Sequence, residues 1–504
     1  MRATGDAGER STRAGAGQHV RWSDRAVQGR FGASLGDNGV ETEEPAMPSN
    51  LTRRSLLSLA GAGAASAITM PAWATNGMRP AAVSAPTLSN FDKQIVSKIS
   101  ASRTLANLRH LSETIGQRYS GTPAENEAAT FLQNTLRAYG YSVELQPFSV
   151  PDRRLGELSG SGLDTRLCWG VGAAARGAIR GTVTGPLVLA PSALPTDLPD
   201  SVDGAIVMRV VEGSEDLTTL AEAAAAKGAV AFVATRTDGQ YPRQASAFAP
   251  TLSRNVSIPV VGVGQVQKYA LLEAMPAELT LQMWLHTNVT SYNVLASVAG
   301  KQGAGSAASR DNVMVCAHYD SVIGAKGAND DGSGTVLTLE LARIMRNLPT
   351  RANLQFALWG SEEVGLVGAR HYVSQLDAAE RARVRGVFNN DMVGTSWDPA
   401  ERYWVLSYDG QPNVVNAQVL AAGERLGYRS QMSDVTQRGS SDHQAFQEQG
   451  MPSGNFSWRG VESPALLEPE YHSADDTIEE NISMERLTVS MELIGCAAYA
   501  LARQ

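Results

Sequence analysis

The chain has 504 residues, 43% of them hydrophobic and 19% charged, which is enough apolar material for two or three packed domains. A net charge of −8 without any block of Lys or Arg argues against a nucleic-acid partner, which calls for a basic face. Three cysteines, Cys168, Cys316 and Cys496, stand far apart with no CxxC pair. That excludes a disulfide framework and a zinc ribbon, so any metal here must be held by His, Asp and Glu.

Residues 1–46 are rich in Gly, Ala, Arg and acids without periodicity and are expected to be a disordered extension. Met47 opens Met-Pro-Ser-Asn-Leu-Thr-Arg-Arg, and translation is expected to start there, leaving residues 1–46 untranslated. Arg53-Arg54, the uncharged run 56–70 and the small-x-small site Ala72-Trp73-Ala74 follow in the order of a signal peptide, assigned to 47–74. The paired arginines resemble the twin-arginine type, which implies export to the periplasm or the medium. The run is too short for a stable membrane span, and no other candidate span is present. Residues 75–90, rich in Pro, Ala and Ser, are a linker.

From Phe91, apolar residues at helical spacing (Ile95, Ile99, Leu105, Leu108, Leu111) predict a helix or a helical pair. Thr122 is placed to cap a further helix through Ala129, Leu132, Leu136 and Tyr139, which Gly140 stops. Residues 141–148 alternate like a strand, completing a first segment of 91–158. The composition then shifts, over 159–288, to Gly, Ala and Val in short apolar runs. Residues 181–183, 186–190, 205–211, 229–234 and 258–263 read as strands, and 217–227 as an Ala-rich helix closed by Gly228. This segment holds one histidine, His286, and no convergent acids, so it reads as a binding or positioning module. Over 289–504 strands and helices alternate: strands 293–298, 313–317, 354–359 and 384–390, helices 333–345 and 366–376, and a C-terminal helix 484–501. The alternation predicts an α/β sheet with helices on its faces.

Acidic and imidazole side chains stand where these apolar strands end. His318 closes one strand, and Asp320 lies two residues on, so that in extended chain both point to one face. A carboxylate beside a ligating imidazole fixes its tautomer. Asp330, twelve residues after His318, lies in Gly327-Ala-Asn-Asp330-Asp331-Gly-Ser-Gly334, whose glycines let it fold tightly enough to project one carboxylate. Asp331 reads as a helix cap and Asp330 as a ligand that can bridge two cations with its two oxygens. Glu362 and Glu363 follow the strand 354–359; adjacent glutamates repel unless a cation compensates, and one can ligate while the other faces substrate. Asp391 ends the strand 384–390, and Tyr471-His472 lies in a polar stretch before the last helix. Taken singly, these last two read more readily as solvated polar turns.

Together HYDSV, GANDDGSG, WGSEEVGLVG, NNDMVG and YHSADDT resemble the two-zinc exopeptidases, family twenty-eight of the metallopeptidases, of the secreted aminopeptidase type. The resemblance covers about 91–155 and 289–504. Between them, the order of strands, Ala-rich helix and Ile-Pro-Val-Val resembles the protease-associated domain. It implies the zinc exopeptidase fold, an α/β fold whose mixed central sheet is flanked by helices and carries an inserted, mostly-β protease-associated domain. It implies two Zn2+ per chain, with Co2+ or Mn2+ as substitutes. Asp330 would bridge, His318 and Asp391 would complete one site, and Glu363 and His472 the other. Glu362 would be the general base, Asp320 the partner of His318, and Tyr471 a donor to the oxyanion. Two metals about 3.5–4 Å apart activate a bridging water and polarise a carbonyl, which suits amide hydrolysis, and the resemblance implies removal of N-terminal residues from peptides or proteins. A carboxypeptidase uses the same metals but needs a placed Arg for the substrate carboxylate. Arg438 stands two residues before Ser440, where some relatives carry an Arg, and is left unassigned. A non-catalytic, receptor-like binding protein on the same scaffold is the reading of another class. Such proteins lose ligands, and here all five and Glu362 are present.

Overall fold

The computed structural model describes residues 87–238, 246–302, 306–307 and 310–504. The extension 1–46, the signal-peptide segment 47–74 and most of the linker lie outside the described residues. Two helices, Asn90–Val96 and Ala101–Arg109, form where helical spacing from Phe91 predicts a helix or a helical pair. The helix Pro123–Ala138 follows, its N-terminus capped by Thr122, whose hydroxyl accepts from the Glu125 amide. Strand β1 (Ser142–Val150) then opens the main sheet.

The chain next leaves that sheet to build a second unit from β2 (Arg153–Gly160), β3 (Gly170–Ala173), β4 (Thr182–Leu189), β5 (Ile206–Val211), β6 (Ala231–Arg236), β7 (Val260–Gly262) and β8 (Glu278–His286). These close into a barrel in the order β2-β3-β7-β6-β5-β4-β8. The runs 181–183 and 186–190, expected as two strands, form the single strand β4. Its neighbour β8 continues the ladder past Gly185 and Pro186. Strands β2, β3 and β8 are not among the expected ones, and in β2 Gly156 and Gly160 interrupt the apolar alternation by which strands are recognised. The helix Leu217–Ala226 is capped by the Asp216 carboxylate and ends before Gly228, at φ 95°.

The return strand β9 (Val289–Val298) pairs antiparallel with β1 from Val150↔Val289 to Ser142↔Ser297, so the barrel is inserted at the tip of a hairpin. There follow β10 (Asn312–His318), β11 (Asn353–Trp359), β12 (Val384–Asn390), β13 (Arg402–Ser407), β14 (Met432–Gln437) and β15 (Ser453–Arg459). The mixed eight-stranded sheet has the order β1-β9-β11-β10-β12-β15-β13-β14. Strands β11, β10, β12 and β15 run parallel in its centre. Side-chain alternation divides them between two cores. Val313, Val315 and Ala317, with Leu354, Phe356 and Leu358, pack under the helices Gly334–Met345 and Met484–Arg503. Met314, Cys316, Ala357 and Trp359 pack on the other face. Burial on both faces explains the unbroken apolar run 313–317 of β10. Cys316 and Cys496 are buried free thiols. No helix among the described residues is long and apolar enough to cross a membrane.

Candidate metal centre

The parallel strands β10, β11 and β12 end on one edge of the sheet, the edge where open α/β sheets form their crevices. His318 is the last residue of β10; Glu362 and Glu363 follow β11 after a short turn, and Asp391 follows β12 directly. Asp330 projects from the turn leading into the helix Gly334–Met345, and His472 from the loop ahead of the C-terminal helix.

Asp330 lies between two imidazoles. Its Oδ1 is 3.2 Å from His318 Nε2 and its Oδ2 is 3.1 Å from His472 Nε2. Glu363 Oε2 is 3.2 Å from the same His472 nitrogen. His318, Glu362 and Asp391 offer ligand atoms within 4.8 Å of one another, and so do His318, Asp330 and Glu363. All six line one recess of about 50 Å³, with Tyr471 and Met392 beside them. The Tyr471 ring stacks on His472 at 3.7 Å between centroids. Every candidate ligand named from the sequence, with Glu362 and Tyr471, thus lies at this recess, and Asp320 lies behind His318.

Several polar atoms here have no hydrogen-bond partner although buried: both nitrogens of His318, Glu363 Oε1 and Asp391 Oδ1. Orphaned polar atoms of this kind cost free energy unless something else satisfies them. Burial raises the pKa of Glu362 well above the ordinary range, and the neighbouring Asp442, Glu363 and Asp391 charges add to it. Burial and the Asp330 charge likewise raise Asp391. Converging carboxylates that repel one another, around unpartnered imidazole nitrogens, fit divalent cations with nitrogen and oxygen ligands.

The turns that carry these side chains are held from behind. Asp320 Oδ1 accepts the Glu362 amide at 2.9 Å, and Oδ2 accepts that of Glu363 at 3.2 Å. Asp320 also faces His318 Nδ1 at 3.4 Å, an electrostatic contact and not a well-formed hydrogen bond. Asp331 does more than cap a helix: besides the Gly334 amide at 2.9 Å it accepts those of His318 and Met392, both at 3.2 Å. Asp476 accepts the amides of Asn329 at 2.8 Å and Asp330 at 3.0 Å. Ser361, Met392, Ser440 and His472 adopt positive φ of 58°, 62°, 61° and 53°, costly for side chains with a Cβ. Such strain clusters where a surrounding structure over-determines a site.

Two arginines on the recess wall were not assigned from the sequence. Arg459 closes β15, is 4% exposed, and its Nε has no hydrogen-bond partner. Burial, then the nearby Arg438, lowers its pKa to about 10. Arg438 joins it in the lining, its carbonyl 2.9 Å from His443 Nε2. An arginine ending a strand buried throughout its length is a signal for the former. The latter depends on how its loop folds back. His110 and His371 instead meet aromatic rings, and His286 lies on the barrel.

The sequence pattern described as Peptidase family M28 matches residues 293–496. Aminopeptidase YwaD of Bacillus subtilis is 37% identical over 418 residues, spanning 82% of this chain and 87% of that relative. The probable lipoprotein aminopeptidase LpqL of Mycobacterium tuberculosis is 31% identical over 456 residues, spanning 81% and 86%. The solved structure of BSAP, a zinc aminopeptidase from Bacillus subtilis, aligns with a TM-score of 0.59 at 35% identity, covering 80% of this chain and 95% of its own. With identity at this level over most of both lengths, and the acidic and imidazole residues of the M28-matched segment gathered at one sheet edge, this chain belongs to peptidase family M28 and is a metallopeptidase.

Proposed function

We propose that the chain is a two-zinc aminopeptidase that releases N-terminal residues from peptides, with Glu362 as general base. The observation that carries this reading is Asp330, whose two oxygens face His318 and His472 at 3.2 and 3.1 Å. A carboxylate so placed is suited to span two cations. His318 and Asp391 would complete one coordination sphere, and Glu363 with His472 the other. The chemistry supplied by bound zinc is Lewis acidity, which polarises a carbonyl and lowers the pKa of water.

The protein's own groups do the rest. Glu362 takes the proton of the attacking water and delivers it to the departing amine. Burial, then the charges of Asp330 and Glu363, keeps the Tyr471 phenol protonated, so it can donate to the tetrahedral oxygen. Asp320 keeps the Glu362 and Glu363 backbone in register with His318. Export through the twin-arginine signal in 47–74 is part of this reading, and the relative named as a lipoprotein is in keeping with a location outside the cytoplasm. We assign the barrel as the protease-associated domain, with peptidase segments 91–158 and 289–504 on either side.

One observation favours a second reading. Arg438 and Arg459 give the recess wall guanidinium groups that suit a substrate carboxylate, as a carboxypeptidase requires. Aminoacyl, N-blocked and C-blocked peptides, assayed with and without chelator, separate the two. Cleavage of C-blocked but not N-blocked peptides, abolished by chelation, is expected. Glu362→Gln should lose nearly all turnover while still binding zinc, and retention of more than a few per cent of wild-type kcat removes Glu362 from its role.

A further inference from the structure

Three consecutive amides carry the two catalytic-centre glutamates, and each is taken by a buried carboxylate. Asp320 takes those of Glu362 and Glu363. The one before them, of Ser361, donates to Glu125 Oε1 at 3.0 Å, and the Ser361 hydroxyl lies 3.1 Å from the same oxygen. Glu125 comes from the first turn of the helix Pro123–Ala138, far from Ser361 in sequence, and its other oxygen accepts the Gly121 amide at 2.6 Å. Ser120 Oγ donates to Ser361 Oγ at 2.5 Å, closing the contact from the other side.

We propose that Glu125 is a positioning residue for the Glu362–Glu363 pair, holding the Ser361 turn in the one conformation that points these side chains into the recess. The inference rests on the reading of the site as a metal-dependent peptidase centre. Two features set Glu125 apart from an ordinary structural acid. Its hydrogen-bond partners are all neutral, and it is fully buried, so burial and the Asp320 charge raise its pKa to about 8. An apolar side chain in that volume would avoid the burden of a buried acid, so what the carboxylate holds is its reason to be there. What it holds is strained: Ser361 sits at φ 58° without being glycine, and hydrogen bonds to both its amide and its hydroxyl keep it there. If the turn relaxed towards ordinary φ, Glu362 and Glu363 would rotate together, because they follow Ser361 directly.

The test compares Glu125→Ala, Glu125→Asp and Glu125→Gln with the wild-type full chain, loaded with zinc or cobalt(II) and assayed on an aminoacyl p-nitroanilide. Alanine removes both acceptors, and aspartate withdraws the carboxylate by one methylene, out of reach of Ser361. Glutamine retains an oxygen for Ser361. Both the alanine and aspartate variants are expected to lose roughly 10–100-fold in kcat with KM changed less than about twofold, as for outer partners of metal ligands. Their cobalt(II) absorption bands are expected to shift, because the Glu363 ligand moves. Glutamine is expected to recover much of the loss. Wild-type kcat and an unshifted cobalt spectrum in the aspartate variant overturn the inference, whether or not the alanine variant folds. A wild-type protein with no metal-dependent activity would instead overturn the proposed function, so the two failures are distinguishable.

Discussion

Around the recess, side chains that never touch substrate hold those that would. Asp320 is the clearest, since it takes two amides and faces the buried His318 Nδ1. Asp320→Asn puts an NH2 group against an amide or an imidazole N–H, and a loss of about 10–100-fold in zinc affinity or activity is expected. Zinc titration of the metal-free variant checks it. The imidazoles also set a pH dependence. Burial works to lower the pKa of His318, but Glu362, Asp320 and Asp330 outweigh it and raise it well above the ordinary value. For His472, Glu363 and Asp330 do the same against its own burial. Ligation needs the free base, so zinc must displace these protons, and its affinity should fall as pH falls. Dialysis at a series of pH values between about 8 and 5, followed by metal analysis, measures this. A zinc content independent of pH would contradict the ligand assignment of both histidines.

Arg118 acts at the scale of whole elements. Fully buried, it donates to the carbonyls of Tyr319 at 2.6 Å, Gly116 at 3.1 Å, Lys326 at 2.5 Å and Gly327 at 2.8 Å. It therefore ties the segment before the helix Pro123–Ala138 to the loop that runs from His318 to Asp330. A lysine ammonium cannot reach this fan of acceptors, because only the planar guanidinium presents donors in several fixed directions. Arg118→Lys is expected to cost about 2–4 kcal/mol, the loss of one or two hydrogen bonds from a charged group. Denaturant unfolding gives the value, and an unchanged midpoint would mean that the loop is held by other means.

In the whole molecule, the barrel enters the main sheet at one point of its contour, between Val150 and Val289, which are already paired. The sheet's own ladder does not depend on what fills that hairpin tip. Replacing 151–288 by an Asn-Gly turn, the tight connection that antiparallel strands prefer, should leave a folded, metal-binding protein. It should be less stable, because Arg153 donates to Tyr119 at 2.8 Å and Gln267 to the Gly324 carbonyl at 3.3 Å across the junction. Absence of cooperative unfolding in the shortened chain would show that the barrel is needed for the sheet itself. The cleft between them, about 650 Å³, is lined by Tyr119, Arg153 and Leu285 and reaches Glu363, so substrate selectivity should change in the shortened enzyme.

The sequence alone determined whatever depends on neighbours along the chain. Largely apolar runs marked β10, β11 and β12, glycines marked the turns beside them, and the motifs at those ends carried the resemblance that implied the proposed ligand set. Tertiary structure decided what depends on residues far apart. Glu125, Arg118, Arg438 and the wider role of Asp331 carry no local signal, since an acid in a first helical turn or an arginine in a loop is common on any surface. The closure of β2 on β8 was equally invisible, because its glycines break the alternation and its partner lies at the other end of the barrel. The physical reason is the same in each case: burial and hydrogen-bond partnership are properties of the packed chain, whereas strand period, caps and turns are settled within a few residues.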